Sequence, residues 1–280
     1  MPPMSGSVRR IAIHNDCQHN AYWMIMKIYA TPLQDNIVRY CLHLIFSLSL
    51  LFVCGGLSLG QEDEAEAQAL LDAAVDQLQA ADSFKLAITQ TGAPYPLMLT
   101  FDGVNMLPAA LESAEAQFVQ PDELHISALL QMFIPLSLDI YSLGDQQWLS
   151  FPSGAPWFQL PAFEDFDVNR LLAPGDGIEY VMDNLHESQI IDVEAQVGEE
   201  TAWKLQARAA GAGVSGLLFG FIEPADDVEL LAYITVADGR FALLEITMLE
   251  TVGDPQKEPS RWHIQFSDYD GPPDFEPPSP

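Results

Sequence analysis

The stretch Glu64–Thr89, EAEAQALLDAAVDQLQAADSFKLAIT, contains the change in hydrophobic period that decides the fold. In its first part, four apolar residues recur at a spacing of three to four: Leu70, Leu71, Val75 and Leu78. Acidic residues come early, where a helix dipole favours negative charge. From Phe84 onward, apolar residues alternate with polar or small ones, which is typical of a strand. The stretch therefore predicts a helix over Glu64–Ala81 that leads directly into a sheet.

The same two-residue alternation continues along most of the chain to Asp268. It crosses a Gly-Ala-Pro turn into Leu97, Leu99 and Phe101 and then predicts these strands: Ala114–Gln120, Glu123–Met132, Leu136–Leu143, Gln147–Phe151, Gln189–Val197, Thr201–Ala209, Val228–Ala237, Phe241–Glu250 and Arg261–Asp268. Turn residues such as Asp238-Gly239 separate them. Regularly spaced strands with short turns favour a meandering antiparallel sheet.

Two segments interrupt this pattern. Phe163–Leu185 predicts two short helices around Ala173-Pro174-Gly175, and Gly213–Ile222 predicts a further short helix or a loop. Several strands are apolar on both faces, which indicates a sheet that is covered on both sides. We therefore expect an α+β fold: a meandering antiparallel sheet, curled or closed, with an N-terminal helix and short mid-chain helices that cover one face. Either a packed core or an apolar cavity fills the space beneath them.

The N-terminal part has the features of an export signal. The apolar run Cys41–Val53, CLHLIFSLSLLFV, has the length of a secretory signal core and is too short to span a bilayer as a helix. After Gly60 the composition changes to Gln-Glu-Asp-Glu-Ala-Glu. This predicts an N-terminal extension and signal segment over residues 1–60, a single domain over 61–270 and a proline-rich tail over 271–280. The domain is then extracytoplasmic.

Two processing sites follow the apolar run. Cys54 is a lipidation candidate with Leu51 at position −3, although Val53 departs from the small residue usual at −1. Cleavage after Gly60, with Ser58 at −3, is the rival site. A lipidated Cys54 would anchor the protein to the membrane of the cell envelope, and cleavage after Gly60 would release a secreted or periplasmic domain.

The composition excludes several classes of function. Residues 61–280 contain 7 Lys or Arg against 38 Asp or Glu, which leaves a formal charge of −31. Nucleic-acid affinity comes largely from basic side chains on phosphates, so nucleic-acid binding is excluded. The three cysteines all lie at or before Cys54, so the domain has neither a disulfide scaffold nor a thiolate metal site.

Motifs for catalysis or metal binding are weak. Gly213–Leu217 resembles a hydrolase elbow but has leucine where the second glycine is needed. His125, His186 and His263 are widely separated, and the acidic cluster Glu62–Glu66 lacks the ligand order of a calcium loop. We expect no enzyme activity, no catalytic residue, no metal site and no cofactor.

The overall layout resembles the LppX/LprAFG lipoprotein family. The matching features are the strand Gln146-Gln147-Trp148 with Trp157 shortly after it, the start of a helix at Phe166–Leu172, and Trp262–Asp274, WHIQFSDYDGPPD. The resemblance extends over nearly all of residues 64–275. It implies an α+β fold of the LolA type, a curved antiparallel β half-barrel with an N-terminal helix and short mid-chain helices over its concave face. Proteins of this family carry lipids or lipid-linked glycans in the apolar space between sheet and helices.

The resemblance thus implies a non-catalytic lipid carrier or chaperone of the cell envelope, with a lipid or lipidated molecule as its partner. Candidate cavity-lining residues are the apolar positions on the predicted strands: Leu86, Ile88, Leu99, Phe101, Ile126, Leu130, Leu138, Ile140, Ile234 and Leu243. Plain core packing is the competing interpretation for each of them. The alternative function is an envelope sensor or regulatory protein of the same fold that binds a protein partner.

Overall fold

The computed structural model describes residues 59–100, 106–144, 146–160, 171–173, 177–219, 222, 224–248 and 258–278. The described residues belong to one unit, Leu59–Pro280. The predicted signal segment with Cys54, the predicted helix start at Phe166 and the candidate residue Phe101 lie outside the described residues.

The N-terminal helix α1 extends over Leu59–Ala80. Its buried side consists of small and apolar residues three or four positions apart: Ala67, Leu71, Ala74, Val75 and Leu78. This stripe matches the predicted helical period, with Leu70 only partly buried at its margin. The chain then turns at Asp82 and continues into the first strand, so the change of period after Ala81 is confirmed.

Twelve strands are found among the described residues. They are β1 Ser83–Thr91, β2 Leu97–Thr100, β3 Met106–Val119, β4 Glu123–Gln131, β5 Leu136–Leu143, β6 Gln146–Ser150, β7 Phe158–Leu160, β8 His186–Val197, β9 Glu200–Ala209, β10 Val228–Thr235, β11 Phe241–Met248 and β12 Arg261–Ser267. Nine strands were predicted after residue 110, and eight of them have both ends within three residues of the ends of an observed strand. The ninth, Ala114–Gln120, corresponds to the second half of β3.

The strands form one open antiparallel sheet in the order β7-β6-β5-β4-β3-β1-β12-β11-β10-β9-β8, with β2 paired to β3. Two meanders, β3–β7 and β8–β12, meet at β1, which pairs with β3 on one side and β12 on the other. In this register Leu86 lies opposite Ala116 and Phe266, so the apolar residues of both meanders share one face, the inner face. The predicted α+β half-barrel is confirmed.

Helices cover the inner face over the second meander. α1 packs on β8, β10 and β11 and on α2, Gly177–Asp183, which in turn packs on a 3₁₀ helix at Gly211–Leu218. At Gly211 a Cβ atom would lie 2.3 Å from the carbonyl oxygens of Pro224 and Asp226. Glycine is therefore required for this close approach, which holds the 3₁₀ helix next to the chain that leads into β10.

The segment after β12 crosses the outer face of the first meander. The Gln117 side chain donates to the Pro272 carbonyl at 3.1 Å and accepts from the Asp274 backbone N–H at 3.0 Å. Lys85 Nζ lies 2.8 Å from Asp274 Oδ2, and this hydrogen bond is the largest cause of the raised pKa of Lys85. The tail is therefore bound to the sheet at least as far as Asp274.

The sequence did not predict every element. The first half of β3, which contains Pro108, Ala109 and Ala110, was missed because proline and alanine are depleted in strands. β7 was missed because its three residues are too few to show an alternation. The interruption at Phe163–Leu185 contains α2 among its described residues. The sequence predicted either a short helix or a loop over Gly213–Ile222, and the structure has a 3₁₀ helix there that ends at Leu218.

Candidate functional site

The inner face has two parts that differ in burial. We call the part on β9–β12, beneath α1, α2 and the 3₁₀ helix, the covered half. Its apolar side chains are sealed from solvent, with exposed fractions of 0–1%: Leu205, Leu230, Leu244 and Ile246. Such complete burial is typical of a packed core, in which side chains contact neighbours on every side.

The open half is the inner face of β4, β5 and β6. Among its buried side chains, Leu124 is 1% exposed, while Ile126, Leu130, Leu138 and Leu149 keep 4–8% exposure. Others are only partly buried, at Ala128, Leu136 and Ile140. The main helix contacts of the described residues are with β8, β10 and β11, which leaves the open half without a comparable cover from α1.

The register makes the open half one continuous apolar surface. Ile126 pairs with Ile140, and Ile140 pairs in turn with Leu149 on β6. Leu130 on β4 pairs with Leu136 on β5, next to the turn that joins the two strands. Side chains directly opposite on antiparallel strands lie about 4.5–5.5 Å apart at Cβ, so these rows touch across three strands. Such a surface can bury an extended apolar ligand without any specific polar contact.

The predicted lining residues are distributed over several places. Four lie in the open half: Ile126, Leu130, Leu138 and Ile140. Leu86 and Ile88 are buried on β1 between the two halves, and Ile234 is fully buried in the covered half. Leu99 is on β2, and its side chain is not among those described. The lipid-lining role of these residues stays a prediction.

Leu243 was predicted for the inner face, and this placement is wrong. It packs on the outer face with Tyr233 and Ala202, while its neighbour Leu244 points into the core. β11 is apolar on both faces here, so alternation alone could not choose between the two leucines. Conversely, the sequence analysis missed Leu136 and Leu149, which pairing with the predicted residues Leu130 and Ile140 would have revealed.

Two solved structures share this architecture. LprF from Mycobacterium bovis superposes with a TM-score of 0.58 at 13% identity, covering 77% of this chain and 98% of LprF. The protein has the LprF and LppX fold. The Mycobacterium tuberculosis lipoprotein LppX superposes with a TM-score of 0.52 at 12% identity, covering 76% of this chain and 100% of LppX. No protein-family model matches the chain, and no curated protein matches it either. The resemblance expected from the sequence is thus confirmed as a likeness of fold.

On the outer face of this LppX fold, one polar group has the order of a catalytic triad. His263 Nε2 lies 3.3 Å from Thr91 Oγ1, and His263 Nδ1 lies 3.3 Å from Glu245 Oε1. Acyl transfer also needs backbone or side-chain donors that bind an oxyanion. Here the three residues stand on paired strands whose backbone groups are used in the sheet. The arrangement is better explained as a cross-strand polar ladder.

A second polar group lies under the C-terminal tail. Phe275 stacks on His125 with ring centroids 5.1 Å apart, and Trp157 meets the same imidazole edge-on at 6.3 Å. Burial lowers the pKa of His125. Tyr141 donates to Glu123 Oε1 at 2.7 Å, and burial with this hydrogen bond raises the pKa of Tyr141 to about 12. Neutral imidazole and phenol packed among rings serve structure rather than proton transfer.

A cleft of about 390 Å³ lies at the turns that join β8 to β9 and β10 to β11. Glu199 and Glu200 line it together with Thr201, Thr235 and Val236, so its charge is unfavourable for an apolar ligand. Within the described ranges, no group of three or more metal-ligating side chains is arranged to hold an ion. None of the helices described here combines the length and apolar character needed to cross a bilayer.

Proposed function

We propose that the protein is a non-catalytic lipid-binding protein of the cell envelope, a carrier or chaperone that holds acyl chains against the open half. The observation that carries this proposal is the contrast within one inner face. One half is sealed by helices, and the other is a continuous apolar surface on three strands in which Ala128, Leu136 and Ile140 are only partly buried. A sheet that needed only a core would gain stability from covering both halves.

The energetics suit an acyl ligand. Each methylene removed from water contributes about 0.8 kcal/mol, so ten methylenes give a gross gain of about 8 kcal/mol. Association and ordering of the chain offset part of that gain, which leaves room for useful affinity without a charged recognition group. This agrees with the described inner face of β4, β5 and β6, where no position is Lys, Arg or His.

The proposed location follows from the sequence. The signal core Cys41–Val53 directs the chain out of the cytoplasm, and either Cys54 becomes the membrane anchor or cleavage follows Gly60. Helix α1 begins at Leu59, within six residues of both sites. A short tether of this kind would keep the apolar surface of an anchored protein close to the membrane.

Native mass spectrometry of protein purified gently from its own envelope, followed by lipid extraction, tests the proposal. The expected result is bound lipid with acyl chains that is released on denaturation. Finding no lipid, together with a tightly bound protein partner, would favour the sensor function instead.

A fluorescent fatty acid locates the site. Ile140→Asn places an amide in the open half and should weaken binding about tenfold, which corresponds to about 1.4 kcal/mol. Ile191→Asn is the matched control, because Ile191 is 45% exposed on β8, away from the open half. Equal effects of the two substitutions would place the ligand elsewhere.

A further inference from the structure

The hairpin between β4 and β5 projects two large apolar side chains into solvent. Phe133 is 99% exposed and Ile134 is 78% exposed, and Pro135 follows them before β5 begins at Leu136. Isolated exposed apolar residues are common on protein surfaces. An adjacent phenylalanine and isoleucine at the end of a hairpin are a different case, because nothing on either strand requires them there for packing.

The charge distribution sets this end of the sheet apart. The chain has 40 Asp and Glu, yet residues 124–138 contain no Asp, Glu, Lys or Arg. The segments that meet the hairpin are also uncharged. Ala110 of β3 pairs with Gln131 at the end of β4, and the Ser153 N–H donates to the Ser137 carbonyl at 3.0 Å. The described chain around Ala110 and Ser153 is uncharged over 106–111 and 146–160.

The apolar surface of this end is continuous with the open half. Met132 and Leu136, on either side of the exposed pair, both pack against the main core. Beyond them, Leu130 and Leu138 belong to the open half. An apolar path therefore leads from the exposed Phe133 and Ile134 to the inner face.

We propose that this tip, Met132–Pro135, docks on a neutral, zwitterionic lipid surface and presents the open half to the bilayer. Two adjacent side chains on a narrow turn are far smaller than the roughly 800 Å² per partner of a stable protein interface. They match the shallow insertion of apolar and aromatic side chains at a membrane interface. A formal charge of −29 repels anionic headgroups, which selects a neutral surface. Docking depends on the tip alone, while its use in lipid transfer rests on the proposed function.

Hydrogen exchange of the full chain with phosphatidylcholine vesicles tests the docking. Amides 132–134 and 136 should exchange at least about tenfold more slowly with vesicles than without them, because insertion removes water from the turn. The amides of β8, which lies at the opposite edge of the sheet, should be unchanged. The comparison is local, so binding of the vesicle by another part of the chain does not produce the signal.

The variant Phe133→Ser/Ile134→Ser should lose this protection, whereas Ile191→Ser/Val193→Ser should keep it, because that pair is exposed on β8 between acidic residues. Vesicles of phosphatidylglycerol should protect the tip less than phosphatidylcholine. The inference is overturned if vesicles give the tip no protection. It is also overturned if the tip is protected without vesicles in a concentration-dependent way, which indicates self-association.

Fatty-acid binding measured on the same samples separates the two proposals. Retained binding with an unprotected tip overturns docking alone. A protected tip without fatty-acid binding overturns the carrier function alone.

Discussion

The two halves of the inner face are made of the same residue types on the same sheet, yet they differ in burial. Leu244 in the covered half is 0% exposed, whereas Leu138 in the open half is 7% exposed and its neighbour Ile140 is only partly buried. The strands are paired in both halves, with one irregularity between Tyr233 and Ile234 in the covered half. The difference therefore comes from the helices and not from the sheet.

The position of the helices in the chain explains why one half is covered. α2 is separated from β8 by two residues, and the 3₁₀ helix occupies the connection between β9 and β10. Both are held by short connections over the strands that flank them. The turns between β3 and β6 are short and contain no helix in their described residues. In this sheet the described helices cover one half and leave the other without a comparable cover.

The largest expected effect comes from matched leucine truncations in the two halves. Leu244→Ala should cost about 4 kcal/mol of unfolding free energy and Leu138→Ala about 2 kcal/mol, because a side chain enclosed on all sides leaves the larger cavity. Urea denaturation at constant m-value measures both. Equal costs would mean that the open half is as tightly packed as the covered half.

Gly211→Ala tests the cover itself. The new Cβ would meet two backbone carbonyl oxygens at 2.3 Å, so the 3₁₀ helix must shift, at a cost of about 2 kcal/mol. Fatty-acid affinity should change little, because the ligand is expected in the other half. A strong loss of binding with little loss of stability would instead place the ligand beneath the 3₁₀ helix.

Tyr141→Phe compares the outer face of β5 with its inner face. Removing the hydroxyl that donates to Glu123 should cost about 1 kcal/mol of stability, the usual net contribution of one hydrogen bond. Fatty-acid binding should remain unchanged, in contrast to Ile140→Asn one residue away. Reduced binding by Tyr141→Phe would show that the two faces of this strand are not independent.

The smallest expected effect is a pH dependence due to His125. Burial lowers its pKa in the folded protein, while the unfolded chain titrates near the ordinary value of 6.5, so the unfolded state binds more protons below that pH. Stability should therefore fall as the pH drops through 6.5, by at most about 1.4 kcal/mol per pH unit. Nearby Asp139 and Asp274 oppose the shift but are smaller causes than burial.

The difference in unfolding free energy between the wild type and His125→Phe isolates this contribution from the many carboxylates. It should change between pH 7.5 and pH 5.5 in the direction that disfavours the wild type at the lower pH. A constant difference would show that folding leaves the pKa of the His125 imidazole unchanged.

Local sequence periodicity was sufficient to predict most of the helices and strands. The change from a helical to a two-residue period after Ala81 placed α1 and β1, and turn residues placed most of the later strands. These signals depend on neighbouring residues, which is why they can be recognised without the tertiary structure. The pairing of β1 with both β3 and β12, which joins the meanders, connects distant residues and has no local signature.

The candidate site was only partly predictable for the same reason. Ile126, Leu130, Leu138 and Ile140 share the inner face with Ile234, and periodicity treats all five alike. Only the packing of the helices distinguishes the open half from the covered half. The exposure of Phe133 has no local signal either, because it arises where the chain turns after Gln131.

Photo-crosslinking with a diazirine-bearing fatty acid, mapped by mass spectrometry, shows directly where an acyl chain lies on the sheet. Crosslinks should be concentrated on β4–β6, at inner-face residues between Ile126 and Ile140 and at Leu149. Crosslinks spread over the outer face, or confined to the covered half around Leu230 and Leu244, would contradict acyl-chain binding in the open half.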